Sequence, residues 1–303
     1  MKKLHYAITL AVLFLSQIAF AQLTILSGPE YGSNHRFVED INNVLKSDTS
    51  DAVINKSSSG AANNYRQITD PDSPYKIAMM QSDYLYYMKA KDAKDNTQIT
   101  DNLFVLLPIA SEEIHFVTRK SKGYTGIKSL AKKRVAIGNK GQGTYVTANI
   151  IKDRSEIYWS SRNFHFDQAL KELYNDYIDA FIIVGSAPIE MIDLDPEAFV
   201  DELALIELED FNDWAKFYQP VTISKDTYKW LDKDINTFGV RSVLIVNKSK
   251  LDASDIEALN KLVNGITSNL PELIKVGHPK WKEVDFNNWV SSDWPLYSEL
   301  ESQ

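Results

Sequence analysis

The segment from Lys128 to Ala148, KSLAKKRVAIGNKGQGTYVTA, constrains the fold more than any other. It reads as a short helix over Ile127–Ala131, a buried strand over Arg134–Ile137, a glycine-bearing turn over Gly138–Gly143 and a new helix from Thr144. A strand that passes through glycines into a helix leaves backbone N–H groups unpaired and aimed outward, backed by the positive end of the helix dipole. Such a corner suits an anion, a carboxylate or a phosphate. Taken alone, Gly138-x-x-Gly141-x-Gly143 is a weak sign, because glycines also serve simply to turn tightly.

The segments before it repeat the same grammar. Gln22–Leu26 reads as a strand, followed by the turn Ser27-Gly28-Pro29-Glu30-Tyr31-Gly32 and a helix from an N-cap at Ser33 to about Leu45. Phe37, Ile41, Val44 and Leu45 share one face of that helix. A second strand, Ala52–Asn55, ends in Ser57-Ser58-Ser59-Gly60 and leads into a helix with Ala61, Asn64 and Ile68. A third, Lys76–Met80, meets Gln81-Ser82-Asp83, which opens a helix rich in tyrosine (Tyr84, Tyr86, Tyr87). Strands alternating with helices predict a parallel sheet, whose ligands sit beyond the carboxyl ends of the strands. Tyr31, Ser59 and Gln81 fall there. Each has an ordinary reading as a cap or as packing, but three loops aimed at one edge favour a site.

Further strands are expected at Phe104–Ile109 and Ile114–Thr118, with Glu112 and Glu113 between them. Ile178–Val184 is the most apolar strand; it stops at Gly185-Ser186-Ala187-Pro188, where another helix is expected with Pro188 in its first turn. Leu203–Leu208, Val221–Ile223 and Thr237–Val246 read as extended, and Leu251–Asn269 as a strongly amphipathic helix. Trp281, Trp289 and Trp294 enrich the tail, where they are expected to pack along one lobe. With no internal repeat and no low-complexity linker, the expected α/β architecture has two lobes. Each is a mostly parallel sheet flanked by helices, and two strand hinges near Ile114–Thr118 and Thr237–Val246 join them. The boundaries place 22–115 and 243–303 in lobe 1 and 116–242 in lobe 2. Paired strand hinges permit closure around a ligand.

The chain of 303 residues is 44% hydrophobic and 24% charged, as in an ordinary globular protein. A net charge of −8 without a basic patch disfavours nucleic acid and anionic membrane surfaces. Lys2 and Lys3 precede an apolar run from Ala7 to Phe20 that closes on Ala19-Phe20-Ala21, the pattern of a secretory signal peptide cleaved after Ala21. The run is shorter than the roughly 20 residues a membrane span needs. There is no cysteine, so disulfides, thiolate chemistry and a lipid anchor on position 22 are excluded, which fits a bacterial periplasm. His5, His35, His115, His165 and His278 show no metal-binding spacing, and no nucleophile elbow or phosphate-loop motif occurs. A catalytic triad assembled in space stays open. The acidic pairs Glu112–Glu113 and Glu207–Glu209 read as solvated surface more readily than as acid–base groups.

Five places together resemble the TAXI subfamily of solute receptors for tripartite ATP-independent periplasmic (TRAP) transporters, over about residues 23 to 290. Ser58-Ser59-Gly60-Ala61-Ala62-Asn63-Asn64 is similar to the subfamily's loop before the second helix, and Ile77-Ala78-Met79-Met80-Gln81-Ser82-Asp83 to its "A-[IL]-x-Q-S-D" strand end. Ile127-Lys128-Ser129-Leu130 through Gly141-Gln142-Gly143-Thr144 resembles its glycine-rich core, with a shortened middle. Asp179-Ala180-Phe181 to Val184-Gly185-Ser186-Ala187-Pro188 resembles "D-A-x-x-x-x-G-x-P", and Thr237–Leu244 with Gly277-His278-Pro279 completes the order. Ser27-Gly28-Pro29-Glu30-Tyr31-Gly32-Ser33 departs from the glycines, threonine and paired tyrosines usual in the subfamily.

The resemblance implies the type II periplasmic-binding-protein fold and a receptor rather than an enzyme. Its ligand would be a small anionic metabolite such as glutamate, glutamine or a related dicarboxylate, and its partner an integral-membrane TRAP permease. No cofactor, metal or nucleic acid is expected, and the chain would act as a monomer. Carried over residue by residue, the binding set is Tyr31, Ser59, Gly60, Asn64, Gln81, Ser82, Gly143, Thr144, Gly185 and Ser186. Tyr31 or Tyr84 would pack on the ligand's apolar part. Arg119 and Arg241 stand near the hinges, either as carboxylate partners or in ordinary salt bridges. A sensory or accessory protein, or a hydrolase or transferase using the cleft, are the alternatives.

Overall fold

The structure, a computed structural model, describes residues 23–46, 53–193, 202–216, 218–289 and 294–298. The expected leader and its cleavage point after Ala21 lie outside these residues. Short apolar strands alternate with helices to build one curled mixed sheet in the order β2-β1-β3-β10-β4-β7-β5-β6. In the first half, β1 (Thr24–Leu26) runs parallel to both β2 (Ile54–Lys56) and β3 (Ile77–Gln81). Parallel neighbours need crossovers, which α1 (Ser33–Lys46) and α2 (Ala61–Thr69) supply; α3 (Ser82–Asp95) leaves β3 directly.

Two long strands tie this half to the second. β4 (Leu103–Arg119) has 17 residues. The second half mirrors the first: β5 (Arg134–Ala136) runs parallel to β6 (Ser160–Arg162) and β7 (Ala180–Gly185), with α4 (Gly143–Ser155) and α5 (Phe166–Tyr174) between them. β8 (Leu203–Leu205) pairs with the far end of β4, and β9 (Gln219–Ile223) with the start of β10 (Ile235–Asn247). β4 pairs with β10 from Leu103 to Glu113 and, on its other edge, with β7 from Glu113 to Thr118. β10 in turn pairs with β3 through Ser242–Val246. α6 (Ala253–Ser268) starts at a capping box built by Asp252 and Asp255, and α7 (Leu270–Val276) follows it.

Two expectations are corrected. The sequence pattern predicts separate strands on either side of Glu112 and Glu113, yet β4 runs unbroken through both. A strand covered on both faces shows no polar alternation, so two acids inside it look like a loop. The helix expected at Pro188 does not form: residues 186–193 make bends and a turn, and 194–201 lie outside the described residues.

Period-2 alternation splits the core across the sheet. Met79 faces one cluster with Phe37, Ile41, Leu244, Leu259 and Trp281, while Met80 faces another with Ile68, Leu85, Val243 and Trp294. Phe181 and Ile182 divide in the same way in the second half. The tail tryptophans are anchored at their polar ends: Trp281 Nε1 donates to Asp40 Oδ2 (2.9 Å) and Trp294 Nε1 to the Leu103 carbonyl (2.8 Å). No helix among the described residues is long and apolar enough to cross a membrane.

One buried amide fixes the strand ends from which the site is built. Asn64 Nδ2 donates to the carbonyls of Leu26 (3.2 Å), Ser27 (3.0 Å) and Met79 (2.8 Å), tying β1 to β3. Asn64→Ala would leave these buried acceptors without their shared donor, at a cost of about 2 kcal/mol. Urea unfolding is expected to show a lowered midpoint with an unchanged slope; an unchanged midpoint would refute the role.

Candidate functional site

A cavity of about 70 Å³ lies where β1, β3 and β7 end and β4 crosses between the halves. The loop after β1 brings Ser27 and Tyr31, and the start of α1 brings Ser33 and Asn34; the loop after β2 brings Ser59 and Gly60; β3 ends in Gln81. From the other side come Gln142, Gly143 and Thr144 at the start of α4, Gly185 at the end of β7, and the apolar side chains of Phe166, Ile183 and Ile189. The Tyr31 ring stands edge-on to Phe166, with centroids 6.1 Å apart.

Two glycines are required by the approach of the halves. Gly60 has φ 117°, and a Cβ there would sit 3.3 Å from Gln142 Cα. At Gly143 a Cβ would fall 1.5 Å from Gln81 Oε1. Asn63 N donates to the Gly141 carbonyl (3.3 Å) and Ser186 N to Ser33 Oγ (3.1 Å), so the two sides meet at both ends of the gap.

At the floor is Glu112, only 1% exposed. Asn34 Nδ2 donates to its Oε1 (2.7 Å) and Gln81 Nε2 to its Oε2. Ser242 Oγ donates to Asn34 Oδ1 (2.6 Å) and so orients that amide. Burial raises the Glu112 carboxyl to about 7; the bonds from Gln81 and Asn34 pull it down and the charge of Asp83 pushes it up. Among the described residues the lining contains no Lys, Arg or His. Glu113, next along the strand, points to the opposite face, where Lys280 pairs with it and Ala187 N donates to it (2.8 Å). Solvated surface is therefore the wrong reading of Glu112 and Glu113: both are buried.

Seven of the ten residues singled out from the sequence line the cavity: Tyr31, Ser59, Gly60, Gln81, Gly143, Thr144 and Gly185. Three do not. The Asn64 donors are spent on backbone, Ser82 is buried at the start of α3, and Ser186 Oγ donates to the Ser111 carbonyl (2.9 Å). Tyr84 packs on Tyr65 and Tyr87 instead. Arg119 pairs with Glu202 (2.8 Å) and Asp176 (3.7 Å), and the half-buried Arg241 does not line the cavity. Asn34, Glu112 and Gln142 were missed. A double acid inside a long apolar run was the available sign for Glu112, since a strand without an exposed face has nowhere to solvate it.

A larger hollow of about 480 Å³ lies between α3 and α4, lined by Tyr86, Tyr87, Tyr145 and Tyr218. Asp83 at its base accepts from Thr147 Oγ1 (2.6 Å) and Tyr218 OH (3.1 Å). Helix flanks rather than strand ends form that hollow, so the smaller cavity is the candidate site.

The model of the NMT1-like family matches residues 33–294. None of the curated proteins compared matches the sequence. Among solved structures, the chain is similar to one from work on glutathione import via GshT and the cystine ABC importer TcyBC of Streptococcus mutans, at 14% identity over 90% of this chain and 98% of that one, with a TM-score of 0.52. It is also similar to an ABC uptake transporter substrate-binding protein from Streptococcus pneumoniae with bound histidine, at 13% identity, 88% and 94% coverage and a TM-score of 0.52. A third is the substrate-binding protein of an amino acid ABC transporter, at 9% identity, 86% and 100% coverage and a TM-score of 0.51. At such identities the likeness is one of fold: this chain has the two-lobe periplasmic-binding fold.

The raised Glu112 carboxyl makes stability depend on pH with a definite sign. The folded state holds a proton between about 4.5 and about 7, where the unfolded chain has released it. This contribution is therefore present at low pH and is lost as pH rises through that window. Asp83 and Glu113, also raised by burial, act in the same direction. Urea unfolding at roughly pH 5 and pH 8 is expected to show Glu112→Gln losing less stability than the unaltered protein, by up to about 3 kcal/mol. Parallel losses would refute the buried carboxyl as the source.

Proposed function

This chain belongs to the NMT1-like family, and from that premise we propose that it is a periplasmic solute receptor of the TAXI type, which captures a small carboxylate-bearing metabolite between two lobes and delivers it to an integral-membrane TRAP permease. The observation that carries this reading is the position of the cavity. It lies at the strand ends of both halves and beside the two strands they share, where closure both builds the site and shuts out water. Lobe 1 comprises 22–115 and 243–303 and lobe 2 comprises 116–242, with the middles of β4 and β10 as hinges. Removal of the leader after Ala21 releases the receptor into the periplasm, where it works as a monomer.

The ligand carboxylate is received by the N–H groups of Gly143 and Thr144 at the start of α4, opposite the Ser59–Gly60 turn. Tyr31 and Phe166 cover its apolar part. Among the ligands the resemblance implies, glutamine suits the lining better than glutamate or another dicarboxylate. Above about pH 7, where Glu112 has released its proton, a second carboxylate would approach it with no Lys, Arg or His among the described lining residues to offset the repulsion.

Calorimetric titration and thermal shift of the mature protein, unfolded and refolded to free the cleft, test the reading against glutamate, glutamine, 2-oxoglutarate and small organic acids. At least one is expected to bind in the micromolar range or tighter, about −8 kcal/mol. Neither heat nor a shift across the whole panel would refute it. Gly143→Val places carbon where Gln81 stands and holds the lobes apart. It is expected to weaken binding by at least about tenfold while leaving the unliganded melting temperature within a few degrees. Unchanged affinity would put the pocket elsewhere.

A further inference from the structure

Outside the cleft, one buried acid is held from the opposite half of the molecule. Asp83, at the start of α3, is 3% exposed, and its Oδ2 accepts from Thr147 Oγ1 of α4 (2.6 Å) and from Tyr218 OH (3.1 Å). Both donors are buried as well. By the lobe boundaries given above, Asp83 belongs to lobe 1 and both donors to lobe 2, 64 and 135 residues further along the chain. Burial raises the Asp83 carboxyl, and the hydroxyls of Thr147 and Tyr218 pull it back down. The acid therefore carries a cost that groups of the other lobe offset. Along the chain this contact lies close to the cleft: Asp83 stands two residues after Gln81, and Thr147 about one helical turn after Gly143 and Thr144.

We infer that Asp83 is the latch between the lobes, a positioning residue that lets them close in only one register, the one that meets its carboxyl with both the Thr147 and the Tyr218 hydroxyl. The reason is an asymmetry in the energetics of buried polar groups. A buried carboxyl with its donors contributes modestly, whereas the same carboxyl shut away without them costs far more. A closed pose that slides α4 along α3 would bury Asp83 unmet, so the right pose is selected mainly by penalties on the wrong ones. Through the first turn of α4, that selection sets the Gly143 and Thr144 N–H groups against Gln81 and the Ser59–Gly60 turn. Asp83 does this from outside, since it lines the hollow between α3 and α4 rather than the cleft. When the lobes part, that hollow gives its carboxyl water in place of the two hydroxyls. The contacts from Asn63 N to the Gly141 carbonyl and from Ser186 N to Ser33 Oγ carry no charge, so a misplaced pose costs less there. This inference rests on the receptor reading and adds what defines its closed state.

The test reads the separation of the lobes directly. The chain has no cysteine, so Lys94→Cys on α3 and Lys171→Cys on α5, both at exposed positions, carry a spin-label pair across the lobes of the refolded, unliganded mature protein. With the latch intact, a closed population at the separation of this structure is expected. Thr147→Val with Tyr218→Phe leaves Asp83 without these donors and is expected to lower the ratio of closed to open by roughly tenfold or more. Adding Asp83→Leu removes the unmet acid and is expected to restore most of the closed population, a reversal that lost packing does not produce. Should the paired change unfold the chain, Tyr218→Phe alone carries the same prediction at roughly threefold, while Asp83→Asn, which keeps an acceptor, stays closed. A carboxylate that binds in the calorimetric panel is expected to bind the donor-free variant more weakly in proportion. Distances that ignore the donors, or that Asp83→Leu fails to restore, would overturn the latch, and binding by the panel would then leave the receptor intact. Distances that respond as expected while the panel shows no binding would support the latch and overturn the receptor.

Discussion

The cleft depends on two strands that are buried on both faces while belonging to both halves of the molecule. The first part of β4 (Leu103–Glu113) pairs with the last part of β10 (Gly239–Asn247), whose other edge carries β3; beyond that ladder β4 continues to β7 and β8, and the start of β10 carries β9. A polar group in such a strand has no water to turn to, so anything polar there must be met by protein or by a guest. The ladder between β4 and β10 shifts register between Arg241 and Val243, beside the point where Ser111 and Glu112 pass. Irregular pairing of this kind commonly re-aims a side chain next to a site.

Glu112 and Glu113 show how much one residue of register decides. Consecutive residues of a strand face opposite ways, so two identical acids enter different environments. Glu113 meets an ammonium and a backbone N–H at the rear. Glu112 meets amides at the floor of the cavity, and one of them, Gln81, abuts the glycine that opens α4 across the gap. Those amides lower the cost of keeping a carboxylate out of water without removing it, which is why its proton is held more tightly than usual. Such a group is suited to being completed by a ligand.

Much of the fold was legible because it follows from local rules. Short apolar runs ending in Ser59-Gly60, Gln81 and Gly185 announce strands that feed helices or loops; Tyr31, Ser59, Gln81 and the turn at Gly143 follow from strand ends and glycines, and the family resemblance adds Gly60, Thr144 and Gly185 to the lining residues found. Asn64 illustrates the limit. Its position one turn into α2 resembles a ligand reader, yet its donors hold three carbonyls from β1, the residue after it and β3. Nothing local distinguishes an amide that binds backbone from one that binds solute. Asn34 and Gln142 were missed for the same reason, since their roles arise from elements distant in the chain.

Alternating apolar runs, glycine turns and helix caps were enough to determine an α/β chain with its functional edge at the strand ends, because these features act over a few residues and carry their own period. The charge character of the cleft was decided only in three dimensions. Whether an acid in an apolar run is solvated, paired with a lysine or buried against amides depends on which strands flank it and on which face it lands. Those neighbours, β7 and β10 and the start of α1, come from positions about 70 to 130 residues away along the chain, beyond any local pattern.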